Sequence, residues 1–487
     1  MPPSNRRGKD ASKPKGKGNP KPKSTSKTPK RNVNQWTASN FNSETGKPLL
    51  EAKSLPVSLQ QLLLNVFQSG LLSGKGSKSE PLSRPLSELI QILKTHLYRR
   101  DFLSAFADAN DELLKAYALR WSAGRALGYA GIFAAVCEMI TQDRATALQK
   151  KMYVEHIVCI GGGAGAEIVG LAAAWRWLND QGRILSLDKN MGDLSLGNKM
   201  QPDNNSDAGK SDDNRVSDNN DIAPAQRQQF SNLSITAVDI ADWSPLIDAL
   251  RRAVSSDSIP SSKSCPAPLI PQGGPDGRVD DVFQISFKKA DVLSLTDEEL
   301  RSLLAARWND LNGSLDSSNT STEQNGTVLV TLMFTLNELF STSIPKTTAF
   351  LLRLTDMLSA GTLLLVVDSP GSYSTLTLGG NKAASTAKSA TSKSTNSFQN
   401  DSTTRQDSSE ERPVDSGDAA TQQRKYPMRF LLDHALISVA DGKWERVLSD
   451  DSRWFRRDTS QLKYQVGDGI GLEDMRFQIH VYRRQKD

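Results

Sequence analysis

HIVCIGGGAGAEIVG, residues 156–170, is an apolar run, a glycine turn and the start of a helix, with nothing between them. Gly161, Gly163 and Gly165 give the spacing G-x-G-x-G. Glycines tolerate φ > 0 and let backbone N–H groups approach a ligand closely. The N-terminus of the following helix then offers its unsatisfied N–H groups to that ligand. Turns of this kind hold nicotinamide and flavin cofactors as well as S-adenosylmethionine (SAM), and a tight strand–helix turn can also occur without a ligand, so the turn by itself is only moderately specific.

Downstream the pattern repeats. Apolar runs LSITAVD (233–239), VFQISF (282–287), TVLVTLMF (327–334) and TLLLVVD (362–368) alternate with helical stretches at 166–180, 245–254, 297–308 and 346–358. Thr296 and Glu299 supply a capping box for the third of these helices. Regular β–α alternation predicts an α/β fold, a mostly parallel sheet with helices on both faces. KWERVLSDDSRWFRR (443–457) and EDMRFQIHVYRR (473–484) read as an antiparallel C-terminal hairpin added to one sheet edge. Upstream, apolar residues at three- and four-residue spacing predict a helical N-terminal region over 55–150. The nucleotide-binding domain then spans 151–487. Four Ser/Asn/Asp-rich stretches, at about 189–230, 255–280, 311–326 and 379–424, are expected to be disordered insertions.

Only 37 % of the 487 residues are hydrophobic, as such dilution requires. Residues 1–54 form an arm that is not expected to fold. Its first 31 residues hold eleven Lys/Arg against Asp10 alone, while the whole chain carries only +5. An arm of this charge suits a phosphate backbone or serves as a nuclear or nucleolar address. No apolar h-region lies in residues 1–34 and no apolar run approaches the ~20 residues of a membrane span, so neither secretion nor a membrane is expected. Cys137, Cys159 and Cys265 are far apart and form no CxxC pair. They exclude a disulfide scaffold and suit a reducing compartment. The four histidines are equally scattered, so no metal site is expected. A monomer is favoured.

Asp239 ends the second strand, where a carboxylate can accept both ribose hydroxyls, and Ile240 beside it can pack on adenine. Asp188 in RILSLDKN is a rival by distance from the glycine turn, but low complexity follows it whereas a helix follows Asp239. Asp291, after strand three, is placed either to hold the adenine amino group or to cap the next turn. Strand four runs into Asn337 and Glu338, and strand five into Asp368, Ser369, Pro370 and Tyr373. Both ends lie at the carboxyl edge, where open α/β sheets bind substrates.

YALRWSAGRALGYA (117–130), VCIGGGAGAEIVGLAAA (158–174), LSITAVDIADW (233–243), LMFTLNELF (332–340), LLLVVDSPGSYS (363–374), SRWFRR (452–457) and LEDMRFQIHVYRR (472–484) together resemble a Rossmann-like class I SAM-dependent methyltransferase. More narrowly they resemble the fungal family that methylates N3 of a uridine in large-subunit (25S) ribosomal RNA. The resemblance implies SAM as cofactor, rRNA or a pre-ribosomal particle as partner, and action in the nucleus or nucleolus. The usual acid just before the glycine turn is replaced by Cys159-Ile160, so another group must hold the SAM amine. Uridine N3 must lose its proton to attack, and Glu338 or Asp368 is the expected acceptor. Asn337 and Ser369 would orient the base and Tyr373 stack on it. Arg120, Trp121, Arg125, Arg453, Trp454, Arg456 and Arg457 are the expected RNA contacts, the first three alternatively lining the cofactor pocket. The same residues leave open methylation of an adenine or cytosine amine, or a non-catalytic assembly factor. An NAD-dependent dehydrogenase would need a relay histidine, and none accompanies these motifs. Methylation at C5 would need a nucleophilic cysteine. None of the three is placed for it, since Cys159 falls in a strand, Cys137 in a helix and Cys265 in an expected disordered insert.

Overall fold

The computed structural model describes residues 52–72, 83–145, 155–196, 232–271, 282–305, 326–370, 375–378, 424–467 and 470–486. The basic arm over 1–31, Tyr373, and the stretches 197–230, 272–280, 311–325 and 379–423 lie outside the described residues.

Strand β1 (Glu155–Ile160) is buried along its whole length. Its side chains alternate between two cores, with Ile157 and Cys159 in one and Val158 and Ile160 in the other. That is the period-two geometry of a strand covered on both faces. β1 pairs in parallel with β2 (Leu233–Asp239) and β4 (Thr327–Met333). β3 (Phe283–Lys289) and β5 (Leu363–Asp368) extend the parallel sheet on either side. β8 (Trp444–Phe455) and β9 (Met475–Arg484) add the antiparallel hairpin, so the order is β3-β2-β1-β4-β5-β9-β8. β6 (Thr375–Leu378) and β7 (Arg424–Pro427) form a separate two-stranded sheet.

One core gathers α1 (Val57–Leu72), α2 (Leu86–Arg99), α3 (Asp111–Tyr117), α4 (Ala123–Ala145), α5 (Ala166–Leu196) and α6 (Ser244–Val254). The other gathers α7 (Asp297–Leu304), α8 (Leu336–Thr342), α9 (Ile344–Met357) and α10 (Met428–Asp433). The expected capping box at Thr296 and Glu299 opens α7. The helical region is not a body of its own: α4 packs on α5 and α1 on α6, inside one compact unit with the sheet.

Three expectations need correction. The stretch 255–271 is ordered, because a few apolar residues anchor it: Ile259, Cys265, Leu269 and Ile270 are buried. Ile270 N donates to Val254 O (2.9 Å) and Arg176 donates to Pro268 O (3.0 Å). Second, α5 runs on to Leu196, taking in 189–196 and placing Asp188 on a helix instead of at a strand tip. That removes the rival to Asp239. Third, Asp111–Thr141 is long and apolar enough to cross a membrane by composition, yet 83 % of its apolar window is buried inside the fold, as befits a core helix.

Candidate active site

The sheet order reverses between β1 and β4, and the crevice there is where open α/β sheets bind ligands. Gly161 and Thr335 close its floor. Gly161 has φ +75, and a Cβ on it would lie 2.0 Å from Thr335 Oγ1. Its N–H donates to Val238 O (2.8 Å), tying the turn to β2.

Packing also demands glycine at 163. A Cβ there would fall 2.0 Å from the Trp243 indole, which is 2 % exposed and follows β2. Gly163→Ala is therefore expected to cost ~1–3 kcal/mol by overpacking. In a Trp243→Leu background the same change should cost about 1 kcal/mol less, since the obstacle is gone. Chemical denaturation of the four variants measures this; equal costs in both backgrounds would show that the indole is not what demands glycine.

Asp239 ties the turn down from β2. Its carboxylate accepts from Gly163 N (3.1 Å) and Ala241 N (3.2 Å). Ile240 beside it is 40 % exposed, an apolar surface at the strand tip. Asp291 does not share this position. It is exposed, and its oxygens accept from Leu293 N (3.0 Å) and Ser294 Oγ (2.6 Å), which makes it the cap of the turn after β3.

Across the crevice, Asp368 ends β5 and is 2 % exposed. It accepts three hydrogen bonds: Asn337 N (2.9 Å), Asn337 Nδ2 (2.8 Å) and Ser369 N (2.7 Å). The Asn337 N–H belongs to the first turn of α8, whose own N-cap residue, Thr335, makes no side-chain cap. Asp368 is thus a cap supplied from a neighbouring strand. A carboxylate only accepts, so the Asn337 amide must turn its NH₂ toward Asp368. Its Oδ1 is left buried with no hydrogen-bond partner among the described residues. Gln478 on β9 holds the next residue, donating to Ser369 O (2.7 Å).

Two further acids complete the crevice. Glu338 is partly exposed, and burial together with the charges of Asp239 and Asp368 pushes its carboxyl well above the usual range. Glu167, in the first turn of α5, is 3 % exposed and its Oε1 has no partner among the described residues. Burial and the Asp239 charge push it up to about 8. Burial lifts Asp368 to about 6 despite its three donors. The cation that faces them is Arg125, which donates to Tyr117 OH (2.5 Å) and lies 4.3 Å from the Phe334 ring centroid. Phe334 itself has φ +60, a left-handed conformation costing ~1–2 kcal/mol in a non-glycine residue. Among the described residues four acids meet one guanidinium here, and a cationic ligand such as SAM, with its sulfonium and ammonium, favours their ionised form. Glu167 is the unpartnered acid that fits the ammonium in place of the one missing before the glycine turn.

The raised Glu167 has a consequence for stability. Its proton is kept in the folded chain to about pH 8 but is lost in the unfolded chain near 4.5. The stabilisation is present in full below pH 4.5 and disappears as pH rises toward 8. Melting temperature is expected to fall across that window, and Glu167→Gln, which never ionises, should flatten the fall. A variant whose melting profile parallels the wild type would show that Glu167 ionises as in the unfolded chain.

Tyr117, Trp121 and Arg125 recur every four residues of YALRWSAGRAL, and a π-helical turn over Ala118–Ser122 lies among them. Tyr117 packs on Trp121 (5.1 Å), Phe106 (5.1 Å) and Trp243 (6.0 Å), binding the helical region to the glycine turn's lid. With Ser369 these three residues line one side of a cavity of about 1070 Å³.

The expected RNA contacts divide. Arg120 is 9 % exposed, donates to Gly471 O (2.9 Å) and pairs with Glu473, so it is a tie inside the fold. Arg453 is 3 % exposed and pairs with Asp450 (2.9 Å). Arg457 pairs with Asp474 (2.8 Å). Arg125 belongs to the crevice and Trp121 to the cavity beside it. Trp454 keeps an outward place, flanked by Arg456 (5.1 Å) and Arg476 (5.8 Å). β9 runs antiparallel to β5 with Asp368 opposite Gln478, so this cluster lies past the carboxyl edge.

The residues that could serve other chemistries are disposed elsewhere. Cys137, Cys159 and Cys265 are all buried and burial raises each thiol, which disfavours a nucleophilic thiolate. His156 and His480 are buried, and burial lowers both to about 4. Among the described residues no group of three or more His, Cys, Asp or Glu could hold a metal ion.

A family model described as "Putative SAM-dependent methyltransferase" matches residues 72–483. The chain is 26 % identical over 441 residues to the 25S rRNA (uridine(2843)-N(3))-methyltransferase of Saccharomyces cerevisiae, covering 89 % of this chain and 87 % of that protein. Among solved structures, a SAM-dependent methyltransferase from Methanosarcina mazei aligns at 10 % identity and TM-score 0.27, over 70 % of this chain and 97 % of that one. Human N-acetylserotonin methyltransferase in complex with SAM aligns at 13 % identity and TM-score 0.23, over 87 % and 72 %. The architecture rests on the strand order itself, and the family on the match that spans the helical region, the glycine turn and the C-terminal hairpin together: the chain belongs to this SAM-dependent methyltransferase family.

Proposed function

We propose that the chain methylates N3 of a uridine in large-subunit rRNA. The observation that carries the proposal is the match to the yeast uridine-N3 enzyme over nearly the whole of both chains. The crevice is consistent with it. SAM supplies an activated methyl on a sulfonium. The protein has to bring the base edge to it, exclude water and remove one proton. Glu338 is the acceptor for that proton, because it is partly exposed and its affinity for a proton is already raised. Asp368 is the positioning residue: it is buried and both its oxygens already accept from Asn337 and Ser369, so it aims the Asn337 amide and leaves the proton to the more open Glu338. This revises the expectation that either acid would serve as base. Asp239 and Ile240 would hold the adenosine, and Glu167 the methionine end.

N3 lies on the pairing edge, so the target uridine has to be unpaired or flipped out. The arm's eleven cations would add affinity without sequence preference and direct the chain to the nucleus or nucleolus. The test is nucleoside mass spectrometry of rRNA from cells with the full chain, without it, and with a chain lacking residues 1–34. Loss of N3-methyluridine without the chain supports the proposal, and reduced occupancy without the arm assigns the arm its part. Loss of a methylated adenosine or cytidine would replace uridine by an exocyclic amine. An unchanged nucleoside profile would leave an assembly factor.

A further inference from the structure

The cavity beside the crevice has a second wall that the site does not use. Besides Tyr117, Trp121, Arg125 and Ser369 the cavity is lined by Lys94, Tyr98 and Arg99 of α2. Leu86, Leu89, Ile90 and Leu93 bury one stripe of α2. Lys94 and Tyr98 are four residues apart and therefore share a face, with Arg99 next to it. All three are exposed. Tyr98 is 91 % exposed, the most of any large hydrophobic residue among those described. The end of the helix is held firmly: Arg100 N–H donates to His96 O and Leu97 O, and Asp101 bonds His96 (3.1 Å) and Ser104 N (3.2 Å). The acid on this cavity, Glu473, is paired with Arg120. The wall thus presents one aromatic ring and two cations from a fixed backbone.

We propose that this face of α2 binds single-stranded RNA, with Tyr98 stacking on a base next to the target and Lys94 and Arg99 on its phosphates. The proposal rests on the reading of RNA as substrate. A target presented by its pairing edge needs neighbours already splayed from a helix, and such strands are held by aromatic platforms beside cations. The cavity, about 1070 Å³, is at the upper end of the ~300–1,000 Å³ of small-ligand pockets and open to solvent along α2, as an extended strand requires. Ser369 and Arg125 belong to both the cavity and the crevice, so RNA gripped on α2 would deliver its next base toward Asn337 and Glu338.

Full-length wild type, Tyr98→Ala, Tyr98→Phe and the Lys94→Ala/Arg99→Ala pair are compared in two assays. One is binding of a fluorescent oligouridylate; the other is methyl transfer to rRNA from cells lacking the chain. Tyr98→Ala is expected to weaken oligouridylate binding and raise KM for rRNA by about 5- to 150-fold, with kcat and SAM affinity unchanged, and Tyr98→Phe to behave as wild type. The cation pair should lower the slope of log affinity against log salt by about 1.4. A wild type that methylates rRNA while the variants bind and turn over equally overturns the α2 site alone. A wild type that neither binds oligouridylate nor methylates rRNA overturns the RNA substrate with it. Variants with normal RNA binding that no longer associate with pre-ribosomal particles would make α2 a protein-docking face instead.

Discussion

Glu338→Gln is expected to lower kcat for methyl transfer by ~10²–10⁴ with little change in SAM affinity. The substitution keeps the size of the side chain and removes its charge and its ability to take a proton. A neutral imide nitrogen has its lone pair delocalised and is a poor nucleophile, so the rate depends on whether the proton leaves. Burial and the charges of Asp239 and Asp368 hold the Glu338 carboxyl well above its usual range. The rate of wild type should therefore rise with pH over an interval above that range, as Glu338 loses its own proton and becomes able to accept another. Glu338→Gln should lose that rise and respond only when uridine N3 itself ionises in solution. Single-turnover kinetics between pH 5 and 10 measure both limbs. A glutamine variant with the wild-type rate and the wild-type profile would remove Glu338 from the chemistry and return attention to Asp368.

Much of this architecture is local in the sequence, and what is local was legible. The alternation in HIVCI, the glycines behind it and the capping box at Thr296 each involve neighbours within a few residues, so strand, turn and helix start could be read directly. Asp239 was separable from Asp188 by the helix that follows it. What could not be read depends on partners far along the chain. Arg120 looks like an RNA contact until Glu473 and Gly471 are folded against it. Arg453 is hidden for another reason: Asp450 is only three residues away, but the pairing follows an irregularity in the strand that no spacing in the sequence announces. Glu167 reads as a helix-opening acid; its orphaned oxygen comes from burial that no spacing announces. Gly163 shows the limit from the other side: the glycine is plain in the sequence, but the packing that also demands it comes from the Trp243 indole, 80 positions on. The stretch 255–271 was averaged away by its serines and prolines, although a few anchors suffice to order it. The wall of α2 gave no motif at all, since Lys94, Tyr98 and Arg99 acquire meaning only from the cavity they face.

Asp368→Asn is expected to lower kcat by about 10²-fold while SAM affinity holds, since a small misplacement of a group beside the reacting atoms costs that much. Asp368 Oδ1 accepts from Asn337 Nδ2 and Ser369 N, and Oδ2 accepts from Asn337 N. An asparagine in its place has one acceptor and one donor. The better of its two orientations keeps oxygen at the doubly used position and turns NH₂ against the Asn337 N–H. The first turn of α8 then loses its cap, and the Asn337 side chain loses the charge that fixes which of its ends faces the carboxylate. Buried hydrogen bonds to a charged group are worth ~1.5–3 kcal/mol each, so a fall in unfolding free energy of that order should accompany the kinetic loss. The decisive measurement is the double variant. If Asp368 acts through Asn337, then Asn337→Ala should cost much less kcat in the Asp368→Asn background than in wild type, because the amide it deletes is no longer aimed. If instead Asp368 takes the proton itself, Asp368→Asn should abolish the low-pH limb of the rate profile, and the two substitutions should multiply. The three hydrogen bonds already drawn to its carboxylate favour the first outcome: a base needs a lone pair directed at substrate, and both oxygens of Asp368 are engaged with the backbone and amide of α8 and with Ser369.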